Sequence, residues 1–481
     1  MSPLPEFRVL DTENVVIATT PDGDRACGVP LTFFDVKWLH LPPVERVLLY
    51  RLPADADAAA IVASLKSSLS HALRAFFPLA GRVRLVVAPG TGARIRHELL
   101  YQPGDGVPFT TAEYDADVDE LAADDGVRVA AVAPLAPPLP EGRAVLAVQA
   151  TMLRRRGIAL GVTIHHSACD GRSSTHFLHT WASAAAAADG DGGKHVMPAA
   201  KVIDDPPVID ADRTLLPDPR GLYDTYLDAM PPIARSPELE FVRSKQPPPG
   251  DDVAVATFTL SAEALQGVRS AVAREAARRG EALSPRCSPL VAAYGLMWWC
   301  HVHAFPDKRR STYYFLFSVD QRARLKPAPL PDRYFGNCMC PAIATVPHDE
   351  MVVVSSSDGG AVAGGLHAAC AAVAAAIEEE VAEGAQEERW DGCVARVKRA
   401  VANGTLSVAG SPRFRVYGLD FGFGRPVKVH MVSVAKSGAV SVADARAGGR
   451  GLELGVALPP DAMGRFRDCF AKAMDAFLLR E

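Results

Sequence analysis

The stretch His165–Gly171, HHSACDG, holds the residues best suited to chemistry: two imidazoles, a hydroxyl, a thiol and a carboxylate within one short run. Imidazole is the side chain whose ordinary pKa lies nearest neutrality, so a histidine held at a chain reversal can take a proton from a hydroxyl. The preceding IALGVTI alternates Ile158, Leu160, Val162 and Ile164 with small or polar residues, the pattern of a half-buried strand. Carried one step further, the alternation puts His166 on the buried face and His165 on the opposite one. Asp170 either orients His166 or ties down the turn, and Gly171 lets the backbone reverse. Ser173 is a candidate cap for a helix in which Ser174, Phe177, Leu178 and Trp181 recur at helical spacing. The unit expected is strand, catalytic turn, helix.

Other chemistries fit these residues less well. A Cys169 nucleophile is disfavoured because an unassisted thiol, with a pKa of about 8.5, is mostly protonated at neutral pH. His166, His176 and His179 with Cys169 do not follow a standard zinc spacing, so no metal is expected. His176 and His179 are expected at the surface of the helix. A serine hydrolase would need a GxSxG elbow, and the chain has none.

The elements that position this turn belong to a chain of 481 residues, too long for one ordinary core, so two domains are expected. Apolar content of 48% and charged content of 22% are those of a globular protein. A formal net charge of -5 gives no reason to expect nucleic acid or an anionic membrane as partner. The nine cysteines are odd in number, scattered and without CxxC pairs, which fits a reducing compartment. MSPLPEFRVL lacks the features of a signal or transit peptide, and no apolar run is read as long enough to span a bilayer. A cytoplasmic protein is the expectation.

Along the chain, short extended runs fill residues 1–50, and Asp57 opens a helix with Ile61, Leu65, Leu69, Leu73 and Phe76 along one stripe. FPLAGRV ends it and starts a strand. Arg143 to Ile164 reads as an antiparallel hairpin turning at LRRRG. The Pro- and Asp-rich text of roughly 186–250 reads as a crossover between domains. Beyond it come a strand, VAVATFTL, a helix over Ser261–Gly280 and a helix over about 288–303. One or two Ala-rich helices follow within 361–403, broken near Gly384, then strands near 428–435, 438–443 and 451–458, and a closing helix with Met463, Phe466, Phe470, Met474 and Phe477. The division expected is 1–190, a linker over 191–250, and 251–481.

HHSACDG resembles the HxxxDG motif of the plant BAHD acyl-CoA-dependent acyltransferases, and LDFGFGRP (Leu419–Pro426) resembles their second motif, usually DFGWG. YFGNC (Tyr334–Cys338), LTFFDVKWL and GSPRFRVYGLDFGFGRP are similar to the branch that includes anthocyanin and phenolic-glucoside malonyltransferases. HxxxD alone is a weak signal, whereas these motifs in the family's order and spacing are specific and span nearly the whole chain. The resemblance implies an α/β fold of two chloramphenicol-acetyltransferase-like domains with mixed sheets around a central solvent channel. It implies His166 as general base, with Asp170 the other residue of the catalytic motif, and acyl-CoA as co-substrate with no bound cofactor. It also implies that Asp170 points away from substrate toward an arginine; Arg322 or Arg324 is the candidate partner for Asp170 or for Asp420. Asp420, Gly422 and Gly424 are expected at the channel wall and CoA entrance, where Phe423 replaces the usual tryptophan and removes an indole N–H.

The substrates expected are a malonyl donor and a sugar hydroxyl of a phenolic glucoside, with a monomeric enzyme and small-molecule partners only. A malonyl carboxylate needs a cation. Arg172 and Arg413 are the candidates, each with a plain alternative as a surface or packing residue. Ser284 and Arg286 are the candidate CoA contacts. Hydroxycinnamoyl or acetyl donors, an amine acceptor, and a non-catalytic protein on the same fold are the alternatives.

Overall fold

The computed structural model describes residues 4–18, 25–87, 95–186, 209–231, 252–281, 287–307, 309–326, 328–352, 360–382 and 386–478. In the first half of the chain lie strands β1 (Phe7–Val16), β2 (Cys27–Pro30), β3 (Val44–Arg51), β4 (Arg82–Val87), β5 (Ile95–Tyr101), β6 (Gly106–Asp117), β7 (Val127–Arg128), β8 (Leu146–Arg154) and β9 (Gly157–Ile164). The second half contributes β10 (Ala254–Leu260), β11 (Thr312–Asp320), β12 (Met339–Pro347), β13 (Leu406–Gly410), β14 (Lys428–Met431), β15 (Val440–Asp444) and β16 (Leu452–Leu458). They form two mixed sheets, ordered β1-β6-β8-β9-β3-β14 and β12-β11-β13-β15-β16-β10-β7, with a three-stranded sheet β2-β5-β4 beside the first. The α/β class and the two sheet-bearing halves are as the sequence implies. The halves also exchange strands: β14 closes the edge of the first sheet against β3, and β7 closes the second against β10.

Local rules account for the elements nearest the site. The β8–β9 hairpin turns at Arg155 and Arg156, both in the left-handed region (φ 51 and 58), the geometry of the two-residue turn that matches strand twist. Strand β9 is buried on both faces rather than one, because it runs between β8 and β3 with packed residues above and below. The helix Ala58–Ala75 starts where the Asp57 carboxylate accepts from the Ala59 and Ala60 N–H groups at 2.9 and 3.2 Å. Its Ile61, Leu65, Leu69 and Leu73 face the first core. Ser261 caps the helix Ala262–Arg279 and Ser288 the helix Pro289–Ala304 in the same way.

Several expectations need correction. Residues 432–435, read as the end of a strand, belong to the helix Val432–Ser437. The Ala-rich region holds three helices, Gly360–Val381, Gln386–Asp391 and Cys393–Ala402. The first is long and apolar enough to cross a membrane by composition, contrary to the sequence reading. It packs instead on the Pro289–Ala304 helix and β12, with Leu366, Ala369 and Val373 in the second core. Within the expected crossover, the described residues 209–231 join the first core through Leu222, Tyr223, Tyr226 and Leu227. The Tyr223 hydroxyl accepts there from the His97 N–H at 2.9 Å.

Candidate active site

The catalytic turn begins where β9 ends. Alternation holds only inside a strand, and the chain leaves strand geometry after Ile164, so the burial predicted for the two histidines is reversed. His165 is fully buried, its Nδ1 accepting from the Ser167 hydroxyl at 2.7 Å, and burial first, then the neighbouring His166, lowers its pKa to about 3. It stays neutral and serves packing. His166 keeps accessible surface, as a group that must meet substrate requires.

The orientation of His166 is set from the other half of the chain. Asn337, in YFGNC, donates from Nδ2 to Asp35 Oδ1 and to the His166 carbonyl, both at 2.8 Å. A carboxylate and a carbonyl only accept, so the amide must place its oxygen on the remaining side. That oxygen faces His166 Nδ1 at 3.0 Å, so Nδ1 carries the proton and Nε2 has the free lone pair. Asp35 is held in turn by the Thr32 N–H and hydroxyl at 2.8 and 2.7 Å and by the Asn337 N–H at 2.9 Å. On one face of the imidazole, the Trp38 ring stacks at 3.7 Å and 11°. Burial, the main cause, holds the His166 pKa below its ordinary value, and the Lys37 ammonium lowers it further. The ring is a neutral base at neutral pH.

Among the described residues Asp170 makes its hydrogen bonds elsewhere than to the His166 ring, which it reaches only through its charge. Its Oδ1 accepts the Ser173 N–H at 3.1 Å, capping the helix Gly171–Ala186, so Asp170 is the cap and Ser173 lies in the first turn. Its Oδ2 accepts from Arg322 at 2.8 Å and from the Cys338 N–H at 3.1 Å. Burial alone would raise the Asp170 pKa, but the Arg322 charge and hydrogen bonds hold it below the ordinary carboxylate value. The same guanidinium donates to the Gly336 carbonyl at 2.9 Å. Asp170 is thus a positioning residue, with Arg322 as the partner and Arg324 spent on the Asp320 carbonyl at 2.7 Å. It grips the loop that carries Asn337. Gly171 is needed for space rather than reversal: a Cβ there would lie 2.6 Å from the Phe414 ring, and its φ is not left-handed.

The other expected site residues fall as follows. Arg172 points to the surface, 43% exposed, and donates to Asp320 and Asp332 at 3.2 and 2.9 Å, so its guanidinium is already engaged. Arg413 is exposed in the 3-10 turn Pro412–Phe414, next to the ring that covers Gly171. Asp420 accepts through Oδ1 from the Gly422 and Gly424 N–H groups at 2.9 and 3.0 Å, with both glycines left-handed, so the three shape their own loop. Phe421 and Phe423 insert from that loop against Trp181 and Tyr50, ring centroids 4.9 and 5.0 Å away. Ser284 and Arg286 lie outside the described residues. His176 and His179 are half-buried rather than surface groups, against Phe76 and the Phe414 carbonyl. Burial pushes the Cys169 thiol well above its ordinary pKa, against a nucleophilic role. Asp35, Trp38 and Asn337 were missed as site residues, although the stretches that carry them stand out in the sequence.

An accessible imidazole held from both mixed-sheet halves, with a carboxylate-arginine clamp behind it, fits an acyl-CoA-dependent acyltransferase. The chain belongs to the Transferase family, the BAHD acyltransferases, whose model matches residues 11–473. It is 31% identical to phenolic glucoside malonyltransferase 1 of Arabidopsis thaliana, over 98% of both chains. It is 29% identical to coumaroyl-CoA:anthocyanidin 3-O-glucoside-6''-O-coumaroyltransferase 2 of the same plant, over 98% of this chain and 99% of that one. The structure of vinorine synthase superposes with a TM-score of 0.64 at 20% identity, covering 96% of each chain, which shows the shared fold.

Proposed function

We propose that the chain moves a malonyl group from malonyl-CoA to a sugar hydroxyl of an anthocyanin, flavonoid or other phenolic glucoside, with His166 as general base. The observation that carries the mechanism is the Asp35–Asn337–His166 chain of hydrogen bonds, which leaves Nε2 unprotonated. Nε2 takes the hydroxyl proton as the oxygen attacks the thioester carbonyl. The tetrahedral oxyanion then collapses, the C–S bond breaks, and the CoA thiolate takes the proton back from the imidazolium. General-base catalysis of this kind is worth about 10²–10⁴ in rate, and alignment of the two substrates supplies a further share.

The malonyl donor is supported by the name of the 31% relative, and the 29% relative supports a second reading with a hydroxycinnamoyl donor. The nine cysteines are free thiols, which supports a cytoplasmic setting. The test incubates the purified protein with malonyl-, acetyl- and coumaroyl-CoA against a panel of phenolic glucosides, scoring product mass and released thiol. A malonylated glucoside as main product is expected. A coumaroylated one, with malonyl-CoA left intact, would replace the first reading by the second.

A further inference from the structure

Arginines buried in this protein come with acids. Arg322 is paired with Asp170 at 2.8 Å, and Arg213 lies 4.0 Å from Asp35. Arg46, on β3, is 5% exposed and has none among the described residues. Among the described residues its guanidinium makes one polar contact, from Nε to the Met431 thioether at 3.5 Å, a weak acceptor. The adjacent Glu45 is held by Lys436 at 2.7 and 2.9 Å. Burial pulls the Arg46 pKa down to about 10, and no carboxylate acts against it. A buried cation without a counter-charge is costly, and a fold that keeps one has a use for an anion.

Its position says which anion. In register, Arg46 pairs with Val162 and Val44 with Ile164, so Arg46 shares a sheet face with the end of the strand that delivers His166. Strand geometry ends at Ile164, two residues or about 7 Å along from Val162, roughly the length of an extended arginine side chain, so the guanidinium can reach the level at which the turn carrying His166 begins. An acyl carbonyl reacting about 3–3.5 Å from its nucleophile, followed by a methylene and a carboxylate, spans the rest.

We propose that Arg46 holds the free carboxylate of the donor acyl group and so selects a dicarboxylic acyl-CoA over a monocarboxylic one. A guanidinium matches a carboxylate with two parallel hydrogen bonds. The inference rests on the malonyl-donor reading and adds the residue that enforces it, in place of Arg172.

The test uses the full chain with Arg46→Met, which keeps volume and removes the charge, and Arg46→Lys, which keeps the charge and loses the fork. For each, kcat/KM with malonyl-CoA and with acetyl-CoA is measured on one phenolic glucoside, together with Tm. In the Met variant the malonyl-to-acetyl ratio should fall about tenfold to hundredfold, the scale of a charged hydrogen bond, with a partial return in the Lys variant. Its Tm should hold or rise, since an unpaired buried charge has been removed. An unchanged ratio, or equal losses on both donors with a lowered Tm, would overturn the assignment and mark Arg46 as structural. If the unmutated protein prefers malonyl-CoA and Arg46→Met keeps that preference, only the assignment fails. If it does not use malonyl-CoA at all, the donor reading fails and takes the assignment with it.

Discussion

At the scale of single residues, the proposed chemistry depends on which ring nitrogen of His166 bears the proton, and the Asn337 amide oxygen faces Nδ1. Replacing Asn337 by Ala leaves the Nδ1–H without its acceptor, at a cost of about 1–3 kcal/mol, so kcat should fall roughly five- to 150-fold without loss of fold. Steady-state rates and circular dichroism check this. The pH profile follows from the same ring. Because burial holds the His166 pKa below 6.5, the acid limb of kcat/KM should have its midpoint below that value and be flat by neutrality. A midpoint above 6.5 would mean that another group is titrating. The motif made His166 legible from the sequence. Asn337 and Asp35 were not, since they lie 171 and 302 residues from their partners and meet only when the halves dock. For Arg172 the sequence leaves a donor contact and a surface bridge both open for the same reason: it shows a cation after the turn but not the Asp320 and Asp332 carboxylates opposite it.

At the scale of elements, Asp170 joins the start of the Gly171–Ala186 helix to the loop that carries Asn337, through Arg322. Both side chains are almost wholly buried. Asp170→Asn leaves the buried Arg322 with only the half-exposed Asp320 carboxylate at 3.2 Å, so a loss of up to about 3–5 kcal/mol is expected, read as a lower urea midpoint at unchanged m. Activity should fall with stability, because the loop loses its anchor. Stability kept with activity lost would point instead to direct chemistry by Asp170. Local rules of sequence were reliable at this scale for most elements, one exception being the Gly171–Ala186 helix, whose cap is Asp170 and not the expected Ser173. The caps Asp57, Ser261 and Ser288 and the β8–β9 turn are each fixed by neighbouring residues. The helix Val432–Ser437 was misread because the β-branched residues that favour a strand sit against β3 and β16, where tertiary packing decides.

At the scale of the whole molecule, the halves are stitched by β14 and β7 and by an ion cluster around one buried lysine. Lys428, 1% exposed, pairs with Asp124, which also takes the Arg446 guanidinium at 2.7 Å. Three further groups set the response to acid. His165 and His430 are buried and His301 is partly so, and desolvation lowers their pKa values to about 3, 4 and 4 in the order His165, His430, His301. The unfolded chain binds protons at these positions near pH 6.5 and the folded one does not. Their contribution is therefore complete above pH 6.5 and declines as pH falls toward 4 and 3, by up to about 1.4 kcal/mol per pH unit for each group. Urea midpoints at pH 7.5 and at about pH 5 should show that loss before the carboxylates titrate. The exchange of strands was not visible in the sequence, because a short apolar run such as KVHM carries no sign of which sheet it will join.

The most direct test of the account is the rate of CoA release by His166→Ala, measured with malonyl-CoA and a phenolic glucoside that the unmutated protein accepts. The account predicts a fall of about 10²–10⁴ with the far-ultraviolet spectrum retained. A variant that turns over within a few-fold of the original would contradict it.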